Sequence, residues 1–158
     1  MADASFEDGR EAPLNIGAED ADDLQVISTL TQDAVFPVTE MSWRPSEQRF
    51  ALLLNRFRWE DKDAADRRGR EFERVQSVLL FNSVLSVASQ GVDRGDKDMI
   101  LSLLSVDFEP GDDGTGAILL TLAGDGAVRM SVEAVDATLK DVTRPYRAPS
   151  GHAPNHPD

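Results

Sequence analysis

The sequence contains no cysteine among its 158 residues. Disulfide frameworks, thiol catalysis, thiolate zinc sites and iron–sulfur clusters all require cysteine, so each of them is excluded for this chain. A cysteine-free chain is compatible with the reducing cytoplasm, and we expect a cytoplasmic location.

Histidine is almost as scarce, since only His152 and His156 occur. Pro154 lies between them and prevents the helix that would direct both imidazoles at one metal ion. The body of the chain therefore lacks the commonest general base as well as the best nucleophile, and a serine–histidine–aspartate triad cannot be assembled from it. We expect no catalytic residue, no metal site and no cofactor, although carboxylate or lysine chemistry stays open.

Long apolar runs are also missing, and the N-terminus has neither a basic start nor an apolar segment. A membrane span needs about 18 or more consecutive apolar residues, and a secretory signal needs a basic start followed by an apolar run. We therefore expect a soluble protein without a membrane contact.

Basic residues are few, with 16 against 29 acidic residues and a net charge of −13. Because neutralised phosphates drive nonspecific binding to nucleic acid, this charge disfavours a nucleic-acid partner. More than half of the charge lies in residues 1–23, whose net charge is −7. Residues 44–74 carry a local net charge of +2 and leave room for an anion contact.

The composition predicts one domain with flexible termini. A hydrophobic content of 41% is sufficient for a core at this chain length. We expect residues 1–12 to form a disordered acidic tail, residues 13–143 to form a single α+β domain, and residues 144–158 to form a flexible proline-rich tail.

The first half of this domain shows a helix followed by strands. Asp20 is a suitable N-cap for a helix with Leu24 and Ile27 on one face. Residues 41–59 are predicted to form a β-hairpin, but Phe57 and Trp59 lie on the opposite phase from the apolar residues before them. Either a bend or bulge interrupts the strand there, or both of its faces are covered.

The second half predicts further strands and a final helix. Residues 72–87 and 99–108 are apolar enough for buried strands, and the first stretch is long enough to bend or split near Asn82 and Ser83. A hairpin turning at Gly124-Asp125-Gly126 follows. The apolar residues after it recur at helical spacing: Val135, Leu139 and Val142, with Asp136 and Lys140 as an exposed i,i+4 pair.

The fold class predicted from these elements is α+β. We expect a bent antiparallel sheet or roll of about six to eight strands, with an N-terminal and a C-terminal packing helix.

Four segments together carry a family resemblance: DADDLQVISTLTQDAV, QRFALLLNRFRWED, RVQSVLLFNSVLSVASQGVDR and LSLLSVDFEPGDDGTGAILLTLAGDGAVRMSVEAVDATLKDV. They resemble a bacterial family known as Domain of Unknown Function 2948, over about residues 13–143. The resemblance implies no activity, substrate or site residue. More loosely, the predicted roll is similar to pleckstrin-homology-type domains, a likeness of fold that implies no function.

The best candidate for a binding surface is an arginine- and tryptophan-rich segment. Arginine and tryptophan are enriched where protein interfaces concentrate their binding energy, and guanidinium groups also bind carboxylates and phosphates. The candidate residues are Asn55, Arg56, Arg58, Trp59, Arg67, Arg68 and Arg70. The alternative is structural, with the aromatic residues in the core and the arginines paired to nearby acids on a solvated strand face.

Two acidic turns are candidate cation sites. Asp93, Asp96 and Asp98 form one, and residues 109–113 form the other, but neither has the ligand spacing of a helix–loop–helix calcium site. Aspartate and glycine are also the usual residues of tight turns, which is the interpretation we favour.

We therefore predict a non-catalytic protein-interaction or scaffold module that binds an unknown protein partner or a second copy of itself as a homodimer. The first alternative is a small-molecule-binding protein or carboxylate-dependent enzyme with its site inside the roll. The second is a weak binder of single-stranded RNA.

Overall fold

The computed structural model describes residues 13–61 and 73–147 of the chain. These residues form one α-helix, α1 (Ala21–Leu30), and one eleven-stranded antiparallel sheet. The strands are β1 (Asn15–Ala18), β2 (Val35–Pro37), β3 (Met41–Arg44), β4 (Arg49–Phe57), β5 (Glu73–Phe81), β6 (Val84–Gln90), β7 (Ile100–Pro110), β8 (Gly116–Leu122), β9 (Ala127–Val132), β10 (Ala137–Asp141) and β11 (Tyr146–Arg147). The α+β class is confirmed, but the sheet has more strands than the six to eight expected.

The sheet bends back on itself. Its strand order is β1-β10-β5-β4-β2-β7-β8-β9-β6, with β11 beside β5 and β3 beside β4. Only Asn82 and Ser83 separate β5 from β6, so the last strand of this path is joined in sequence to the third. At this corner the Val84 N–H donates to the Gln48 C=O at 2.9 Å. The split predicted near Asn82 and Ser83 is confirmed.

A single cluster of buried apolar side chains fills the interior of the bent sheet, and α1 covers part of it. Leu24 and Ile27 of α1 are fully buried, as their spacing predicted. The helix is also tied to β7, because Ser28 Oγ accepts a hydrogen bond from the Val106 N–H at 2.9 Å. Asp20 caps α1 as predicted.

The cap is direct, since Asp20 Oδ1 accepts from the Asp23 N–H at 2.8 Å.

Within residues 13–61 and 73–147, no helix has the length and apolar content that crossing a membrane requires.

The predicted C-terminal helix is wrong, because residues 137–141 form strand β10 between β1 and β5. Ala137, Leu139 and Asp141 are buried and alternate with Thr138 and Lys140, which is the period of a strand. The helical spacing that joined Val135, Leu139 and Val142 was coincidental, and Val142 is 48% exposed. Likewise, Asp136 and Lys140 are not a helical pair.

The hairpins were predicted correctly. β3 pairs with β4 across the turn at 45–48. β8 pairs with β9 across Gly124 and Asp125, which have φ angles of 77° and 67°. Two successive positive φ angles give the turn a twist that matches the twist of the paired strands.

Candidate functional site

The described part of the predicted binding segment lies at the end of β4 and just after it, and Arg56 is the most buried of these described residues. Its side chain follows the same phase as Leu52 and Leu54 and is 0% exposed. Phe57, on the opposite face, is 1% exposed. The register of β4 against β5 is continuous from Phe50 to Phe57, so β4 contains no bulge there. The phase change in the sequence therefore arises because both faces of the strand are covered.

All five N–H groups of the Arg56 guanidinium donate hydrogen bonds. Nε donates to Ser77 Oγ at 3.0 Å and to Asp141 Oδ1 at 3.2 Å. Nη1 donates to the Phe57 C=O at 3.1 Å and to Glu60 Oε1 at 2.9 Å. Nη2 donates to Glu60 Oε2 and to Asp141 Oδ1, both at 2.9 Å. The buried charge is thus fully paired.

Asp141 connects this arginine to two other parts of the sheet. Ser77 of β5 donates its hydroxyl proton to Asp141 Oδ1 at 2.6 Å. The backbone N–H of Leu14, just before β1, donates to Asp141 Oδ2 at 2.9 Å. The arginine cluster, which we define as Arg56, Glu60, Ser77 and Asp141, therefore joins β4, β5, β10 and the start of the described chain.

The charges of this cluster stabilise one another. Burial acts to lower the pKa of Arg56, but its hydrogen bonds and coulombic attraction to Glu60 and Asp141 outweigh burial and raise that pKa. Burial acts to raise the pKa of Glu60, but the hydrogen bonds and charge of Arg56 lower it below the ordinary value. Both groups therefore remain charged at neutral pH.

Ser77 and Asp141 are not among the residues predicted from the sequence, although a signal for both was present. Ser77 lies on the core phase of β5 between Val75 and Leu79, and Asp141 continues the phase of Leu139. A polar residue at a core position requires a hydrogen-bonding partner. Arg56, at the core phase of β4, is the matching residue.

Arg58 and Trp59 lie beside the arginine cluster, and their side chains also form hydrogen bonds within the protein. Arg58 is 5% exposed, and its Nη1 is hydrogen-bonded to Glu73 Oε1. Trp59 is partly buried and donates from Nε1 to the Gln32 C=O at 2.9 Å. Its ring centroid lies 5.7 Å from that of Phe57. These contacts fit the structural alternative for the segment, with burial replacing the solvated face that was expected.

Of the remaining candidate residues, one lies in the sheet and three lie outside the described residues. Asn55 is partly buried and pairs with Val35 of β2 and Gln76 of β5. Arg67, Arg68 and Arg70 lie outside the described residues. The structure therefore brings Asn55, Arg56, Arg58 and Trp59 together at the end of β4.

The carboxylates of the first acidic turn help to form that turn. Asp93 Oδ1 accepts from the Gly95 N–H at 3.0 Å, and Asp96 Oδ1 accepts from the Asp98 N–H at 3.1 Å. Such bonds are typical of aspartate in turns. Among the described residues, no group of three histidine, cysteine, aspartate or glutamate side chains is placed to hold a metal ion. His152 and His156 lie outside the described residues.

One edge of β6 is an open edge of the described sheet. This strand, VLSVASQ, pairs with β9 along one side and is the last strand of the sheet path. Among the described residues, its other side has one backbone hydrogen bond to another element, from the Val84 N–H to the Gln48 C=O. Five of its seven residues are exposed, including Leu85 at 47%. We call this free side the β6 edge.

The comparisons with known proteins identify a family but no function. No curated protein and no solved structure matches the chain significantly, so the similarity to pleckstrin-homology-type rolls is not confirmed. One family model matches residues 14–156, which is most of the sequence. The chain therefore belongs to the family described as Protein of unknown function (DUF2948).

Proposed function

We propose that this protein is a non-catalytic protein-interaction module whose contact element is the β6 edge. The observation that supports the proposal is the composition of this strand together with its position. β6 contains no charged residue and no proline, and it ends the sheet path. Such an edge is a ready template for pairing with another chain.

Natural proteins usually block an open edge with lysine, proline, a β-bulge or a short strand. β6 is seven residues long and carries neither lysine nor proline. Its register against β9 shifts between Val84 and Ser86, so the start of the strand is irregular, and the residues from Ser86 to Gln90 pair regularly. An extended segment could therefore add to the β6 edge through main-chain hydrogen bonds, as in strand addition.

We place the contact surface at the β6 edge because the arginines of β4 are used within the protein. Arg56 has no exposed surface, and Arg58 has little. Binding a protein or phosphate through Arg56 would require it to give up buried partners. We assign the arginine cluster a stabilising role that holds the sheet together.

One observation bears on the alternative of a carboxylate-dependent enzyme. Two carboxylates, those of Glu60 and Asp141, lie close together because both form ion pairs with Arg56. An effective general acid or base has a pKa near the working pH. The pKa of Glu60 is instead lowered. This favours a structural ion pair over acid–base catalysis.

Affinity capture from a native lysate tests the proposed function. Ser86→Lys places a charge on the β6 edge, where Ser86 is exposed. Ser131→Lys is the matched control, because Ser131 is the exposed cross-strand partner of Ser86 on the interior strand β9. We expect Ser86→Lys to lose proteins that the parent and Ser131→Lys both retain. Equal capture by all three proteins would contradict the proposal.

A further inference from the structure

Arg74 is held by an aromatic ring but by no hydrogen bond to the described residues. It lies near the start of β5, opposite Phe57 of β4, and its Cζ is 4.2 Å from the centroid of the Phe57 ring. Arginine stacks on aromatic rings in this way, and the contact fixes the plane of the guanidinium. Among the described residues, Arg74 Nε is the one buried side-chain nitrogen or oxygen without a hydrogen-bond partner.

The far end of this guanidinium is open. Nη1 and Nη2 of Arg74 reach the surface and form no hydrogen bond or ion pair with a described residue. The ring and the covered Nε remove part of the hydration of the charge, and a partly desolvated charge attracts an anion more strongly than a fully hydrated one. The two Nη atoms form the fork that binds an oxyanion through two parallel hydrogen bonds.

The sheet face around Arg74 carries no acidic residue. Alternate residues of one strand share a face, and so do directly opposite residues of antiparallel strands. By the register of β1, β4, β5 and β10, none of their residues on the Arg74 face is aspartate or glutamate. The carboxylates at this end of the sheet bind other arginines, since those of the arginine cluster bind Arg56 and Glu73 binds Arg58. No described carboxylate therefore neutralises Arg74, although the net charge of the chain is −13.

Further donors lie beside Arg74. Gln76 follows two residues along β5, on the same face, and its side chain is exposed. The backbone N–H of Gln76 donates to Thr143 Oγ1 at 3.0 Å, and Tyr146 lies opposite Arg74, so the segment between them runs alongside β5. Arg144 belongs to this segment, is exposed and has no ion-pair partner among the described residues. The backbone therefore places a second cation and an amide next to Arg74.

We propose that Arg74, Arg144 and Gln76 form a binding site for a phosphate group. Two guanidinium groups match the nearly double negative charge of a phosphate at neutral pH, whereas a carboxylate carries a single charge. The site is built from few donors at the surface, so its dissociation constant for inorganic phosphate should be about 1–10 mM. It lies near the start of β5, and β6 follows the other end of that strand. The phosphate site is therefore separate from the β6 edge.

The test is an NMR titration of the isotope-labelled full chain with inorganic phosphate, in which sodium chloride keeps the ionic strength constant. The Hε proton of Arg74 is shielded from water because Nε is buried, so its resonance can be followed. We expect this resonance and that of the Gln76 side-chain amide to shift saturably, with half-saturation at about 1–10 mM phosphate. Acetate should bind more weakly than phosphate, because it offers one charge to two guanidinium groups.

Three variants locate the site, with the Gln76 side-chain amide as the reporter. Arg74→Lys keeps the charge but removes the fork, and it should weaken phosphate binding at least about tenfold. Arg144→Gln removes the second cation and should weaken binding at least about threefold. Arg94→Gln is the matched control, because Arg94 is an exposed cation of the loop after β6 without an ion-pair partner among the described residues. It should bind phosphate like the parent.

Three results would overturn the inference. The first is the absence of a saturable shift at Arg74 and Gln76 up to about 50 mM phosphate. The second is a loss of affinity in Arg94→Gln as large as in the site variants, since phosphate would then respond to the overall charge. The third is parent-like binding by Arg144→Gln, which decides the matter if Arg74→Lys folds poorly. None of these results bears on protein capture through Ser86, which tests the proposed function alone.

Discussion

At the scale of single residues, the stability of the sheet depends on Arg56. Replacing it with methionine keeps most of the side-chain volume but leaves Asp141 buried without its guanidinium partner. We expect Arg56→Met to reduce the free energy of unfolding by about 3–5 kcal/mol, the usual cost of leaving one partner of a buried pair uncompensated. Urea denaturation measures this change.

The control for this prediction is Arg129→Met, which removes an ion pair to Glu109 at 3.0 Å whose side chains are about half exposed. Exposed pairs contribute about 0–1 kcal/mol. If both variants lost the same stability, the buried network would have no special role.

The lowered pKa of Glu60 predicts how the free energy of unfolding depends on pH. Its pKa is lowered in the folded protein, so the unfolded state binds a proton more readily. The stabilisation is complete above the ordinary glutamate pKa of about 4.3 and is lost as pH falls through the lower pKa of the folded state. Glu60→Gln should therefore flatten the fall in unfolding free energy below about pH 4.3.

Denaturant titrations at several acidic pH values measure that slope. Glu109→Gln removes the same charge from a half-exposed pair, where water weakens the attraction, and should change the slope less. A parent-like slope in Glu60→Gln would show that its pairing with Arg56 does not stabilise the fold.

At the scale of elements, β10 separates two residues that helical spacing had grouped. Leu139 is fully buried, whereas Val142 is 48% exposed. Leu139→Ala should cost about 2–5 kcal/mol, and Val142→Ala should change the stability by no more than about 0.5 kcal/mol. Thermal or urea unfolding measures both, and similar losses would favour the helix over the strand.

Gly116 makes a second prediction at this scale, because β8 approaches β7 closely there. A Cβ at Gly116 would overlap the Glu109 C=O and lie 2.7 Å from the Phe108 ring. Gly116→Ala should therefore cost about 1–3 kcal/mol, as overpacking usually does. In Gly17→Ala the added Cβ meets its nearest atom at 3.7 Å, so this control should unfold like the parent when both are measured in urea.

The elements that were predicted correctly are those whose patterns are local. The α1 cap and the β8–β9 turn depend on residues close in sequence, and the alternation in β9 is complete. β10 was missed because a charged residue, Asp141, occupies one of its core positions and breaks the apolar alternation. Its partner Arg56 is 85 positions away. Because this pair is long-range, neither strand β10 nor the burial of the candidate binding segment could be predicted from local sequence patterns.

At the scale of the whole molecule, the sheet joins distant parts of the chain. β1 pairs with β10, with Asn15 opposite Lys140. Non-local strand pairing of this kind slows folding, because long loops must close before their contacts form. We expect refolding in milliseconds to seconds, measured by stopped-flow dilution from urea. Completion within microseconds would contradict this dependence on long-range pairing.

The span between Arg56 and Asp141 also matters during protein synthesis. When a ribosome has just added Arg56, the aspartate that will neutralise it is still 85 codons from being translated. At roughly 5–20 residues per second, that interval is about 4–17 s. The nascent guanidinium must stay hydrated for this time, so the final sheet can assemble only after Asp141 has been synthesised.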